Sequence, residues 1–145
     1  MKNIPTGSKV ALDSMIFIYL FEEDERFLRP VESIFEKVEL GKITAITSVI
    51  SLIETLSAPK LKDIPEKTQV FSRFFYETPN LTTLEVNKEI ALEASRLRRE
   101  KEFLRTPDSI QIATATNQSA DFFVTNDFRL KNLVDINLKI ISLQP

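Results

Sequence analysis

Short apolar stretches alternate along this chain with longer segments in which apolar residues recur at helical spacing. The first stretch, Lys9 to Leu12 (KVAL), predicts a strand. It is followed by Asp13, Ser14 and the nearly continuous apolar run MIFIYLF, which predicts a well-buried helix. Val31, Ile34, Phe35 and Val38 then predict a helix opened by Pro30 and running to about Leu40, with Gly41 as its stop.

The β-branched segment ITAITSVI predicts a strand near Ile43 to Thr47. Thr47 or Ser48 is placed to cap a helix that turns Val49, Leu52, Ile53 and Leu56 inward before Pro59 ends it, with Glu54 beside that stripe. A further helix is expected from Ile64 to Tyr76, carrying Val70, Phe71, Phe74 and Phe75 and closed by Pro79. Leu81 to Val86 (LTTLEV) predicts a third strand, and Asn87 starts a helix with Ile90, Ala91, Ala94 and Leu97 inward.

Thr106 and Pro107 give a strong start signal, an N-cap hydroxyl and a first-turn proline, for the helix DSIQIATATNQ. FFVT at Phe122 to Thr125 predicts a fourth strand, NDFRLKNL a short helix, and LKIISL at Leu138 to Leu143 a fifth strand. Strands alternating with helices imply an α/β fold, a parallel sheet between helical layers. No linker or repeat interrupts the pattern, so residues 1–145 are expected to form a single domain.

Composition narrows the chemistry. The 145 residues are 43% hydrophobic and 28% charged, with a formal net charge of −2, which argues against a broad basic surface. Any nucleic-acid partner is expected to be held by a local patch or through metal ions. MKNIPTGSK carries no long apolar run and no segment reaches ~20 uninterrupted apolar residues, so a cytoplasmic location is expected.

There is no histidine and no cysteine, which removes Ser-His-Asp and Cys-His nucleophile chemistry and zinc sites built on imidazole or thiolate. The two glycines, Gly7 and Gly41, do not suffice for a dinucleotide fingerprint or a P-loop. What remains is carboxylate chemistry. Asp13, Glu54, Asp108 and Asp127 each fall where a predicted strand meets a helix, or on a helix soon after one, and ligands of parallel sheets gather at such strand ends. A buried group of carboxylates is costly unless a cation neutralises it, and Mg²⁺ or Mn²⁺ prefers oxygen ligands. Singly, each acid has an ordinary role: Asp108 compensates a helix dipole, Asp127 forms a cap or turn, Glu54 is a solvated helix carboxylate, and Asp13 turns the chain.

Taken together, ALDSMIFIYLF, the helical glutamate of SVISLIETLSA, TPDSIQIATA and FFVTNDFRL resemble the PIN-domain family of metal-dependent ribonucleases, best known as the toxins of VapBC toxin–antitoxin pairs. The resemblance covers nearly the whole chain. It implies a PIN-like three-layer α/β/α sandwich with a central, mainly parallel sheet of about five strands. It also implies an Mg²⁺ or Mn²⁺ site formed by Asp13, Glu54, Asp108 and Asp127 as catalytic and metal-binding residues, with Asp13 and Asp108 as principal ligands. Ser14 and Thr125 are supporting hydroxyls. Met15 departs from the pattern, because family members usually carry Asn or a comparable small polar residue at that position.

The implied substrate is single-stranded or looped RNA, and the implied partners are a second copy of the chain, as a homodimer, and a cognate antitoxin peptide. SRLRREKEFLR concentrates Arg96, Arg98, Arg99, Lys101 and Arg105 ahead of Asp108, and its arginines are candidates for gripping RNA phosphates; a solvated helix face is the plainer reading. Most of the eleven phenylalanines are expected in the core, with any surplus available to a dimer surface or an antitoxin groove. Two other functions compete: a PIN-like module that binds RNA or protein without cleaving, and an aspartate-based phosphotransfer domain. The latter is disfavoured, since a phosphatase of that kind wants a second Asp where Met15 stands.

Overall fold

The computed structural model describes residues 4–133 and 136–143. Five short strands, β1 (Lys9–Leu12), β2 (Thr44–Ser48), β3 (Leu81–Leu84), β4 (Phe122–Val124) and β5 (Lys139–Ile141), form one sheet in the order β3-β2-β1-β4-β5. All four pairings are parallel. The chain therefore winds outward from β1 to one edge and then resumes at β4 on the other side of β1. That reversal makes the β1–β4 seam the topological switch point, where the loops leaving the strand ends diverge.

Helices α1 (Ser14–Phe21), α2 (Leu28–Glu39), α3 (Val49–Leu56), α4 (Glu66–Glu77), α5 (Lys88–Glu100) and α6 (Thr106–Asn117) connect the strands. Alternation along β1 feeds two separate cores. Val10 and Leu12 join Ile16, Phe17, Val31, Ile34, Phe35, Val38 and Phe75 on one face, while Ala11 joins Ile90, Leu97, Ile112, Phe123 and Leu130 on the other. The first core is aromatic. Phe17 stacks on Phe75 with centroids 4.3 Å apart and also meets Phe35 and Phe74, and Phe21 lies flat on Phe71 at 4.2 Å. The surplus of phenylalanine is thus largely spent inside one layer.

Several boundaries differ from the sequence expectation. Helix α2 begins at Leu28 rather than Pro30, and the proline sits in its first turn, where its missing N–H has no intrahelical partner to lose. Pro59 opens a 3₁₀ turn, Pro59–Asp63, and α4 starts at Glu66. Strands β3 and β5 are shorter than the apolar runs that predict them.

Two inward faces are corrected. In α3 the fully covered residues are Ser51 and Thr55, Leu52 packs partly on the aromatic core, and Ile53 is 57% exposed. Helix α3 meets the sheet and α6 through hydroxyls: Thr47 Oγ1 lies 2.7 Å from Ser51 Oγ, which accepts the Gln111 amide at 2.8 Å. In α5, Ile90, Ala94 and Leu97 face inward, but Ala91, about 100° around the helix from Ile90, faces outward. Among the described residues no helix is long and apolar enough to cross a membrane.

Candidate metal centre at the β1–β4 strand ends

Asp13 is the residue at which β1 becomes α1. Its backbone N–H extends the ladder to Val124 O at 3.1 Å, and its carboxylate caps the helix by accepting Ser14 N–H at 2.8 Å. The second oxygen accepts the Thr125 hydroxyl at 2.6 Å. Ser14 Oγ in turn donates to Glu54 Oε1 at 3.1 Å, tying α3 to α1. Glu54 is exposed but held at the same strand-end surface.

Asp127 caps a 3₁₀ turn, Phe128–Asn132, and its own N–H donates to Thr125 Oγ1 at 3.0 Å. Asp108 occupies the third position of α6 and accepts the backbone N–H of Arg105 at 3.1 Å. Arg105, not Thr106, is therefore the N-cap residue, because the Asp108 carboxylate closes the turn onto it. Arg129 completes the set by donating to both carboxylates of Asp127 and Asp108. An unbroken chain of hydrogen bonds thus runs Glu54, Ser14, Asp13, Thr125, Asp127, Arg129, Asp108.

The electrostatics follow from cover and neighbours. Burial pushes the Asp13 carboxyl up to about 6 against the pull of Thr125 and Ser14, with Glu54 and Asp108 adding repulsion. Asp127 moves the other way, held below the ordinary carboxylate value chiefly by Arg129. Every donor here is oxygen, which suits Mg²⁺ or Mn²⁺. Among the described residues, however, no three carboxylates are drawn closely enough to form a ready cage for an ion.

Met15 turns out to be occupied usefully. Asn126 N–H points at its sulfur at 3.1 Å, and the Asn126 side chain accepts Leu143 N–H at 3.0 Å, pinning the loop after β4. The arginine patch divides. Arg96 is consumed by Glu93 and Glu100 on its own helix, Arg98 donates to Leu104 O at 3.3 Å, and Arg98 and Arg99 line an open groove between α5 and α6. Only Arg105 of these reaches the acids, 3.4 Å from Asp108.

Two neighbours of the acids escaped the sequence reading. Arg129 is one, and Phe128 is the other, its ring 74% exposed beside Asp127 with Lys131 over one face at 4.6 Å. A signal for Arg129 existed in the spacing Asp-x-Arg, since Asp24 and Arg26 make the same fork.

The PIN domain family model matches residues 10–135. The chain belongs to the PIN domain family. Solved structures share the fold at low identity. VapBC2 from Rickettsia felis, bound to a promoter DNA fragment, superposes with a TM-score of 0.72 at 18% identity, covering 94% of this chain and 99% of that one. VapC20 from Mycobacterium tuberculosis, described as a sarcin–ricin loop cleaving toxin, gives 0.63 at 16% identity over 88% and 98%. FitAcB from Neisseria gonorrhoeae gives 0.64 at 17% over 90% and 96%. Comparison with curated protein sequences finds no match.

Proposed function

We propose that this PIN-domain protein is an Mg²⁺- or Mn²⁺-dependent endoribonuclease, the toxin of a toxin–antitoxin pair. The observation that carries the reading is the hydrogen-bonded convergence of Asp13, Glu54, Asp108 and Asp127, drawn from four separate parts of the chain, on the switch point of a parallel sheet. Membership of the PIN family and likeness of fold to the VapBC2 and VapC20 structures support it.

Asp13 and Asp108 are the principal ligands in this reading, with Glu54 and Asp127 completing the shell directly or through water. The chemistry that a divalent ion held there would supply is a lowered pKa for its bound water and stabilisation of charge on the scissile phosphate. The chain's own groups do the rest. Thr125 and Ser14 orient the Asp13 and Glu54 carboxylates, and Arg129 keeps Asp127 ionised. Arg105 stands at the rim to contact a flanking phosphate, and the exposed Phe128 ring offers a stacking face to an unpaired base.

In this reading an antitoxin peptide anchors next to the acids. An apolar cavity of about 160 Å³ lined by Ile18, Phe21, Leu61 and Phe71 reaches Glu54, so a peptide anchored there blocks RNA from the carboxylates.

A second reading, a PIN-like module that binds RNA or protein without cutting, is favoured by the open spacing of the carboxylates. Cleavage of a mixed panel of structured RNAs with Mn²⁺, abolished by chelation and by Asp13→Asn, is expected for the nuclease. Absence of any metal-dependent product counts for the alternative, and full cleavage by Asp13→Asn counts against the proposed site.

A further inference from the structure

The guanidinium of Arg129 engages two carboxylates from different elements. Nε donates to Asp127 Oδ1 at 3.0 Å, while Nη2 donates to Asp127 Oδ2 and also reaches Asp108 Oδ2 at 3.3 Å. The Asp108 and Asp127 side chains keep only 11% and 16% of their surface, whereas Arg129 keeps 42%.

Asp24 and Arg26 make the same fork, with Nε to Oδ1 at 3.1 Å and Nη2 to Oδ2 at 2.8 Å. Both pairs close a turn in which the arginine N–H donates to the aspartate two residues back. The fork itself is therefore a product of local spacing. What sets Arg129 apart is the second carboxylate, which α6 brings to the same nitrogen.

A divalent ion drawn to both Asp108 and Asp127 meets Nη2 at Asp127 Oδ2 and at Asp108 Oδ2, the latter oxygen shared with Arg105. A guanidinium keeps its charge under ordinary conditions, so it opposes a cation drawn to the same oxygens. We propose that Arg129, standing between Asp108 and Asp127, competes with a divalent cation for these carboxylates, and that its displacement sets the metal affinity. The inference rests on the metal-dependent reading of the site. Displacement is open to it, because the side chain is partly solvated on a short surface turn. The competition is also modest, since ion pairs with an exposed partner hold weakly.

The test is calorimetric titration of the full-length chain with Mn²⁺, comparing the native protein with Arg129→Gln and, as a control for the fork motif, Arg26→Gln. Arg129→Gln is expected to bind Mn²⁺ several-fold to about tenfold more tightly, and Arg26→Gln to match the native protein. Mn²⁺ is also expected to raise the Tm of Arg129→Gln by more than it raises the native value. A purely structural role predicts the opposite sign, because loosening the turn scatters the ligands. Unchanged or weaker affinity in folded Arg129→Gln overturns the proposal while leaving the metal reading intact. Should that variant not fold, Arg129→Lys, whose single ammonium cannot fork across both carboxylates, is expected to bind more tightly than native, and unchanged affinity overturns the proposal equally. If neither native nor variant protein takes up Mn²⁺, the metal reading falls and this inference with it.

Discussion

Thr125, the first residue past β4, donates a hydroxyl hydrogen bond to Asp13, the first residue past β1, at 2.6 Å, and the same oxygen accepts the N–H of Asp127 at 3.0 Å. One hydroxyl thus fixes both acids at the seam. Thr125→Val keeps the shape and loses both bonds. The Asp13 carboxyl then loses its strongest counterweight to burial and moves above about 6. The Asp127 N–H loses its partner, at a cost of ~1–3 kcal/mol. RNA cleavage at pH 7 is expected to fall at least tenfold, with the pH–rate profile shifted to the alkaline side. Thr125→Ser should restore most of it; equal loss in the serine variant would point to packing instead.

Asp13 also sets a pH dependence of stability. Its folded-state value of about 6 lies above the ordinary 3.8, so the folded chain binds this proton more tightly than the unfolded chain. The favourable contribution is complete below about pH 4 and is lost as pH rises through about 6. The whole effect is on the order of 2–3 kcal/mol as an upper bound. In chelator, Asp13→Asn is therefore expected to be more stable than the native protein at pH 8 while failing to cleave RNA. Denaturant unfolding at pH 5 and pH 8 measures it, and a variant less stable than native at pH 8 would refute the sign.

What the sequence made legible was whatever expresses itself locally. Asp13 ends an apolar strand, Asp108 follows a helix-start signal, and a parallel sheet brings strand ends together whatever the loop lengths. Side chains that face inward for polar reasons were not legible. Ser51 and Thr55 line the buried side of α3 because Thr47 and Gln111 offer hydroxyl and amide partners, and an apolar-stripe argument assigns that side to Val49, Leu52, Ile53 and Leu56. Arg129 escaped for a different reason. Its link to Asp127 is local, but its link to Asp108 exists only once α6 and the loop after β4 are packed side by side.

Phe128 is the most exposed of the large apolar side chains among the described residues, at 74%, and it adjoins Asp127. Removing such a ring changes no core packing. Phe128→Ala is expected to leave Tm within about 2 °C, since isolated surface changes stay near ±0.5 kcal/mol. Its effect should fall on RNA binding, raising KM about tenfold with kcat little changed, as loss of one stacked base costs ~1–3 kcal/mol. Phe128→Tyr should behave as native. A drop confined to kcat would mean that the ring supports Asp127 rather than the substrate.

Behind the acids, a covered polar chain links three elements that carry them. Thr47 Oγ1 donates to Leu12 O at 2.8 Å, immediately before Asp13, and lies beside Ser51 Oγ, one turn ahead of Glu54. Ser51 accepts the amide of Gln111, one turn past Asp108. Ser51→Ala leaves the Gln111 amide without that acceptor in a buried place, so a loss of ~1–3 kcal/mol is expected. Because each link sits within a turn of an acid, cleavage should suffer as well, through kcat rather than KM. Pairing Ser51→Ala with Gln111→Met replaces both polar groups by apolar ones and should recover stability, but not the relative placement of Glu54 and Asp108. Stability regained with kcat still low is the expected outcome of that cycle. If kcat returns together with stability, the polar chain merely holds the fold, and the placement of the acids owes nothing to it.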